Sequence, residues 1–210
     1  MARRQQRNIQ LCLIRCGQTT WSAEQRLHGA VDLPLSPEGR EAVANAAEGV
    51  RTSRIATVYH PDTEAAAETA RAFARTVGAK NHAVAELIDP DLGLLEGLEK
   101  QVFAERFQKR FRQWELDLLR LAPPEGEPVL EARARVFAAI ARIIRRSRSE
   151  EVAVVLGSLT LGLLRCRLAD RPASDVWELL RNRPDVERYC LTAEQVKELE
   201  TEARAEAVTA

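Results

Sequence analysis

Short β-branched apolar runs alternate along this chain with longer stretches of helical periodicity, and that order leaves few architectures open. Val152-Ala153-Val154-Val155-Leu156 is the clearest run. Ile9 to Ile14 and Ile55 to Tyr59 are two more, and Ala83 to Leu87 and Asp185 to Leu191 are predicted as a third and a last strand. Between them lie helical segments. Ser36 is placed to cap a helix that has Pro37 at its first position and an alanine-rich body running to Val50. Thr63 to Thr76 puts Ala66, Ala70 and Phe73 on one face. Lys100 to Leu121 repeats Phe103, Phe107, Phe111, Trp114 and Leu118 at spacings of three and four. Val129 to Arg146, Leu159 to Leu168 and a charged segment after Thr192 complete the set, the last expected to fray after about Glu200. The expected fold is α/β: a three-layer sandwich whose central sheet is mostly parallel, with helices on both faces. The 210 residues suffice for one domain over 1–210, with a helical insertion at about 98–121.

Charge and cysteine content narrow the function classes. Lys+Arg and Asp+Glu are both 31, so no net field draws in nucleic acid or an anionic membrane. The basic opening Met1 to Arg7 is short and reads as a solvated tail. No apolar run reaches transmembrane length, and no export signal is expected, since no apolar segment follows the basic opening. Cys12, Cys16, Cys166 and Cys190 form no C-x-x-C pair and no zinc spacing. They read as reduced thiols, the location expected is cytoplasmic, and no cofactor or metal is expected.

Ligands of open parallel sheets bind at the carboxyl ends of the strands, so the informative residues follow Ile14, Tyr59 and Leu156. The first such segment, Leu13-Ile14-Arg15-Cys16-Gly17-Gln18-Thr19-Thr20-Trp21-Ser22, closely resembles the Leu-x-Arg-His-Gly-Gln/Glu-Thr-x-Trp-Asn signature of the histidine phosphatase (phosphoglycerate mutase-like) superfamily. The likeness continues through Leu27-His28-Gly29 to Asp32-Leu33-Pro34-Leu35-Ser36-Pro37-Glu38-Gly39 and, more weakly, to about residue 170. It implies a phosphoglycerate mutase-like fold. It also implies a chemistry in which one histidine attacks phosphorus, a second histidine and two arginines hold the phosphoryl oxygens, and a carboxylic acid protonates the leaving group.

Matched residue by residue, most of that machinery is replaced. Cys16 stands at the nucleophile position. Arg15 is the first arginine. Val58-Tyr59-His60-Pro61-Asp62-Thr63-Glu64-Ala65 aligns without a gap to Val-Tyr-Ser-Ser-Pro-Leu-x-Arg, so the second arginine is Ala65. Asp89, followed by Pro90, stands at the acid position, and Val154-Val155-Leu156-Gly157-Ser158 puts Gly157 where the second histidine belongs. No histidine follows His82, so a register shift cannot restore it.

Each candidate has two readings. Cys16 is either a thiolate nucleophile or an inert residue of a remodelled pocket. Arg15 either binds an anion or pairs with Asp89 or Glu64. Gln18 and Thr19 either bind ligand or fix the loop. His60 either partners Cys16 or is a loop residue, and His28 is weighed in the same way. A metal site of Cys16, His60 and His28 is imaginable, but no spacing argues for it. The aromatic stripe of 103–114 is either core packing or, as the resemblance implies, a lid on the pocket. The function expected is that of a catalytically inactive relative, a pseudophosphatase with a binding or regulatory role. The alternative is an enzyme of altered chemistry that uses Cys16. The expected partners are a phosphorylated small molecule, a protein or a second copy of the chain.

Overall fold

The computed structural model describes residues 8–183 and 185–209. The basic run of residues 1–7 lies outside them. In chain order the elements are β1 (Ile9–Arg15), α1 (Thr20–Ala23), α2 (Pro37–Glu48), β2 (Thr57–His60), α3 (Glu64–Val77), β3 (Lys80–Ala83), α4 (Lys100–Arg106) and α5 (Gln108–Leu116). Then follow α6 (Val129–Arg146), β4 (Glu151–Leu156), α7 (Ser158–Leu168), α8 (Val176–Asn182), β5 (Val186–Leu191) and α9 (Ala193–Thr209). The strands form one sheet in the order β3-β2-β4-β1-β5. β5 runs antiparallel to β1, and the other neighbours are parallel. This is the mostly parallel α/β sandwich that the alternation predicts.

The two-residue period of a strand divides the core between the faces of the sheet. Leu11, Leu13, Val152, Val154 and Leu156 point to the face covered by α6, α7 and α9. Cys12, Ile14, Val58, Ala153 and Val155 point to the face covered by α2 and α3. Both faces of β1 and β4 are buried, so their sequences read as continuous apolar runs rather than as alternation. Ser36 caps α2 as expected, its Oγ accepting from Gly39 N at 2.9 Å.

Three local expectations are corrected. The third strand is Lys80–Ala83, not Ala83 to Leu87. It is an exposed edge strand with polar residues, and the more apolar segment after it turns through a 3₁₀ helix to bury Leu87. The helix expected over 100–121 breaks at Phe107, whose φ of −127° and ψ of 46° end α4 and open α5. The break lets both helices feed one aromatic cluster. The Phe103 ring lies 6.2, 5.6 and 6.0 Å from Phe107, Phe111 and Trp114, and Trp114 stacks on Trp177 at 4.9 Å. The stripe is therefore core packing. Finally, α9 does not fray at Glu200: Val196, Leu199, Ala203 and Glu206 are buried along it, and Arg133 of α6 pairs with Glu206. Among the described residues no helix is long and apolar enough to cross a membrane.

Candidate functional site

The carboxyl ends of β1 and β4 open into a cleft of about 390 Å³. Arg15, Cys16, Gln18, Thr19, His28, Ala65, Asp89, Gly157, Ser158 and Asp185 are among its lining residues. The sheet topology thus brings together residues from both ends of the sequence. Among the described residues, nothing from 98–121 lines it.

Arg15 and Cys16 leave β1 together. Arg15 N donates to Asp185 O at 2.8 Å, and Cys16 N donates to Leu156 O at 2.8 Å. The half-buried Arg15 guanidinium lies 3.7 Å from the Asp185 carboxylate and 3.4 Å from Leu180 O. Its ion-pair partner is therefore Asp185, and neither Asp89 nor Glu64. Behind the loop, Gly17 N donates to Thr69 Oγ1 at 3.1 Å while that hydroxyl donates to Ala65 O at 2.8 Å. A Cβ at Gly17 would lie 2.5 Å from Val43 Cγ2, so the loop can sit this deep only with glycine here. Burial pushes the Cys16 thiol up to about 12; the Thr69 hydroxyl and Arg15 oppose this and Asp89 adds to it. Burial thus disfavours the thiolate form of Cys16.

Thr19 is fixed in a reciprocal cap with Ser22. Thr19 N donates to Ser22 Oγ at 2.8 Å and Ser22 N to Thr19 Oγ1 at 3.3 Å. Its hydroxyl is committed to shaping the loop. Gln18 is exposed at the cleft mouth, and its carbonyl anchors Ser36 N at 2.9 Å. His28 lines the cleft, and burial holds its imidazole below the ordinary range despite Asp89 and Glu96 nearby. His60 does not line the cleft. It is buried, its Nδ1–H donates to Pro61 O at 2.8 Å, and burial again lowers its basicity. No Cys16/His60 pair forms, and among the described residues no group of three His, Cys, Asp or Glu side chains is placed to hold a metal ion.

Asp89 lines the cleft, and its carboxylate binds the start of α7. Its side chain is buried; Oδ1 accepts from Thr160 N at 2.9 Å and from Thr160 Oγ1 at 2.6 Å, and Oδ2 accepts from Leu159 N at 3.2 Å. It caps a helix 70 residues away in sequence, where the helix dipole favours an anion. A Cβ added at Gly157 would meet Asp89 Oδ2 at 2.2 Å, so the carboxylate occupies the space that any side chain at 157 would need. Arg135 of α6 secures this placement from behind. Its guanidinium donates to Ile88 O at 2.7 Å, Glu86 O at 3.0 Å and Asp89 O at 3.3 Å, and it pairs with Glu127 at 2.5 Å.

Sequence reasoning missed Thr160, Arg135, Thr69 and Asp185. Neither Thr160 nor Arg135 stood out, since α6 and α7 each carry several other polar or charged residues. Asp185 carried no signal either.

Comparisons with known proteins agree with this architecture. A profile described as the histidine phosphatase superfamily (branch 1) matches residues 11–200. A protein of Citrobacter koseri named probable phosphoglycerate mutase GpmB is 28% identical over 165 residues, spanning 79% of this chain and 77% of its own length. The protein of that name from Klebsiella pneumoniae is 28% identical over 169 residues, with the same coverage. Among solved structures, Bacillus stearothermophilus YhfR superimposes with a TM-score of 0.77 at 23% identity, covering 88% of this chain and 95% of its own. A mycobacterial glucosyl-3-phosphoglycerate phosphatase superimposes with a TM-score of 0.70 at 24% identity, covering 82% and 85%. At these identities the structural matches speak for the fold alone. The profile spans nearly all of the chain, which therefore belongs to the histidine phosphatase superfamily.

Proposed function

We propose that this chain is a non-catalytic member of its superfamily, a pseudophosphatase that acts by binding. The relatives above carry the names of a mutase and a phosphatase, so the architecture is one that hosts phosphoryl chemistry. The observation that carries the reading is the Asp89 carboxylate lodged against Gly157. A carboxylate there cannot hold phosphoryl oxygens, and a group bound by three donors on α7 is not aimed as a general acid. Two further features support it. Burial disfavours the Cys16 thiolate that a nucleophile needs, and among the described residues lining the cleft Ala65 leaves Arg15 without a second cation to balance a transferring phosphoryl group.

What the cleft keeps is its shape and a modest set of polar groups, which suits recognition rather than turnover. The test is a panel of phosphomonoesters assayed with wild type beside Cys16→Ser. The expected result is no hydrolysis by either protein. Hydrolysis by wild type that Cys16→Ser abolishes would establish an enzyme with a changed nucleophile instead.

A further inference from the structure

We propose that Asp89 is a built-in anion that keeps the phosphoryl end of the cleft closed, so the native protein takes neither inorganic phosphate nor a phosphate monoester there. The inference deepens the non-catalytic reading and rests on it. A carboxylate with two backbone N–H donors and a hydroxyl around it is bound as a free anion would be: Leu159 N at 3.2 Å, Thr160 N at 2.9 Å and Thr160 Oγ1 at 2.6 Å. The occupant is held by its own chain. Arg135 fixes the carbonyls of Glu86, Ile88 and Asp89, so the carboxylate is presented to α7 by a segment that has little freedom to swing away.

The charges around the cleft point the same way. Arg15 is the cation in the lining, and it faces Asp185 at 3.7 Å. Cys16 lies within electrostatic reach of both Arg15 and Asp89. Burial lowers the basicity of His28 and so disfavours a charge there. Among the described residues the lining charges are therefore one guanidinium against the two carboxylates of Asp89 and Asp185. A phosphate dianion entering this end meets like charge and finds the donors of α7 already taken. A phosphorylated small molecule is thus excluded from the phosphoryl end, and a ligand of the cleft binds through neutral or cationic groups.

Inorganic phosphate is the probe, read by calorimetry and by thermal shift. Wild type is expected to show no heat of binding and no shift. Asp89→Ala frees the α7 donors at the cleft that Arg15 also lines and is expected to gain phosphate binding, with a rise in midpoint of about 3–6 °C at ten times its dissociation constant. Adding Arg15→Ala should abolish the gain. Asp89→Asn keeps the side-chain volume and removes the charge. With the like charge gone it should admit phosphate more weakly than the alanine variant, since its amide oxygen can still take an α7 donor, and this keeps the test decisive if the alanine variant does not fold. Phosphate binding by wild type, or no gain in either Asp89 variant, overturns the proposal. Both are binding measurements, so they fail separately from the non-catalytic reading, which only turnover overturns.

Discussion

Replacing Gly157 with alanine places a methyl group 2.2 Å from Asp89 Oδ2, 2.4 Å from Cγ and 2.7 Å from Oδ1. No real contact is that short, so the carboxylate must leave α7. The backbone at 157, with φ −67° and ψ 172°, accepts alanine without strain, so the cost lies in the lost cap. Removing an N-cap side chain costs about 1 kcal/mol. Leaving a buried donor without a partner costs about 1–3 kcal/mol. Water from the cleft recovers part of this, which gives about 2–3 kcal/mol in all. In a chain of this size each kcal/mol moves the melting midpoint by about 2–4 °C, so Gly157→Ala should melt about 4–12 °C lower. Asp89→Ala breaks the same bonds and should cost the same. The double variant should then cost little more than either single one, a coupling of about 2 kcal/mol. Urea denaturation of the four proteins measures the cycle. Additive costs, or a Gly157→Ala protein within about 0.5 kcal/mol of wild type, would refute the argument.

Further predictions concern the residues around this contact. Arg135→Ala should destabilise the fold by about 1–3 kcal/mol, since three carbonyls and Glu127 lose a partly buried partner, and Arg135→Lys should recover only part of it; thermal melts decide. Cys16 should alkylate far more slowly than exposed Cys190 at neutral pH, because its thiol is held up at about 12; mass spectrometry of iodoacetamide-treated protein reads both sites, and equal rates would contradict the burial. His28 is less basic folded than unfolded, so its contribution is intact above 6.5 and is lost as pH falls from there toward its lower folded value. His28→Gln should therefore flatten the stability profile on the acid side of 6.5, and an unchanged slope would contradict this. Truncation after Glu200 should lower the melting midpoint by several degrees, because it removes buried Ala203 and the Glu206 partner of Arg133.

The strands and the segments after them were legible because their residues are continuous in sequence. β1 and β4 announce themselves by being buried on both faces, and the family resemblance rests on stretches such as Leu13 to Gly39. The elements that escaped are those whose cause lies elsewhere in the chain. β3 carries polar Lys80, Asn81 and His82 because it is an exposed edge, so it lacks the apolar pattern of a strand. α9 reads as a charged helix, yet its buried stripe exists only because α6 lies beneath it. At the site, Gly157 was legible as the loss of a histidine. That the vacated space holds Asp89 was not, because their contact joins segments about 70 residues apart and depends on Arg135 from a third.

The central claim is the absence of phosphoryl transfer, and a phosphomonoesterase assay of wild type against Cys16→Ser tests it most directly. A companion variant restores the family's residues: Cys16→His, Ala65→Arg and Gly157→His. It must also carry Asp89→Glu, which keeps an acid on a longer side chain, since an imidazole at 157 cannot coexist with the Asp89 carboxylate where it now lies. The account predicts that wild type and Cys16→Ser are equally silent, and that hydrolysis emerges only in the restored variant with Asp89 displaced. Wild-type turnover that disappears with Cys16→Ser would contradict it.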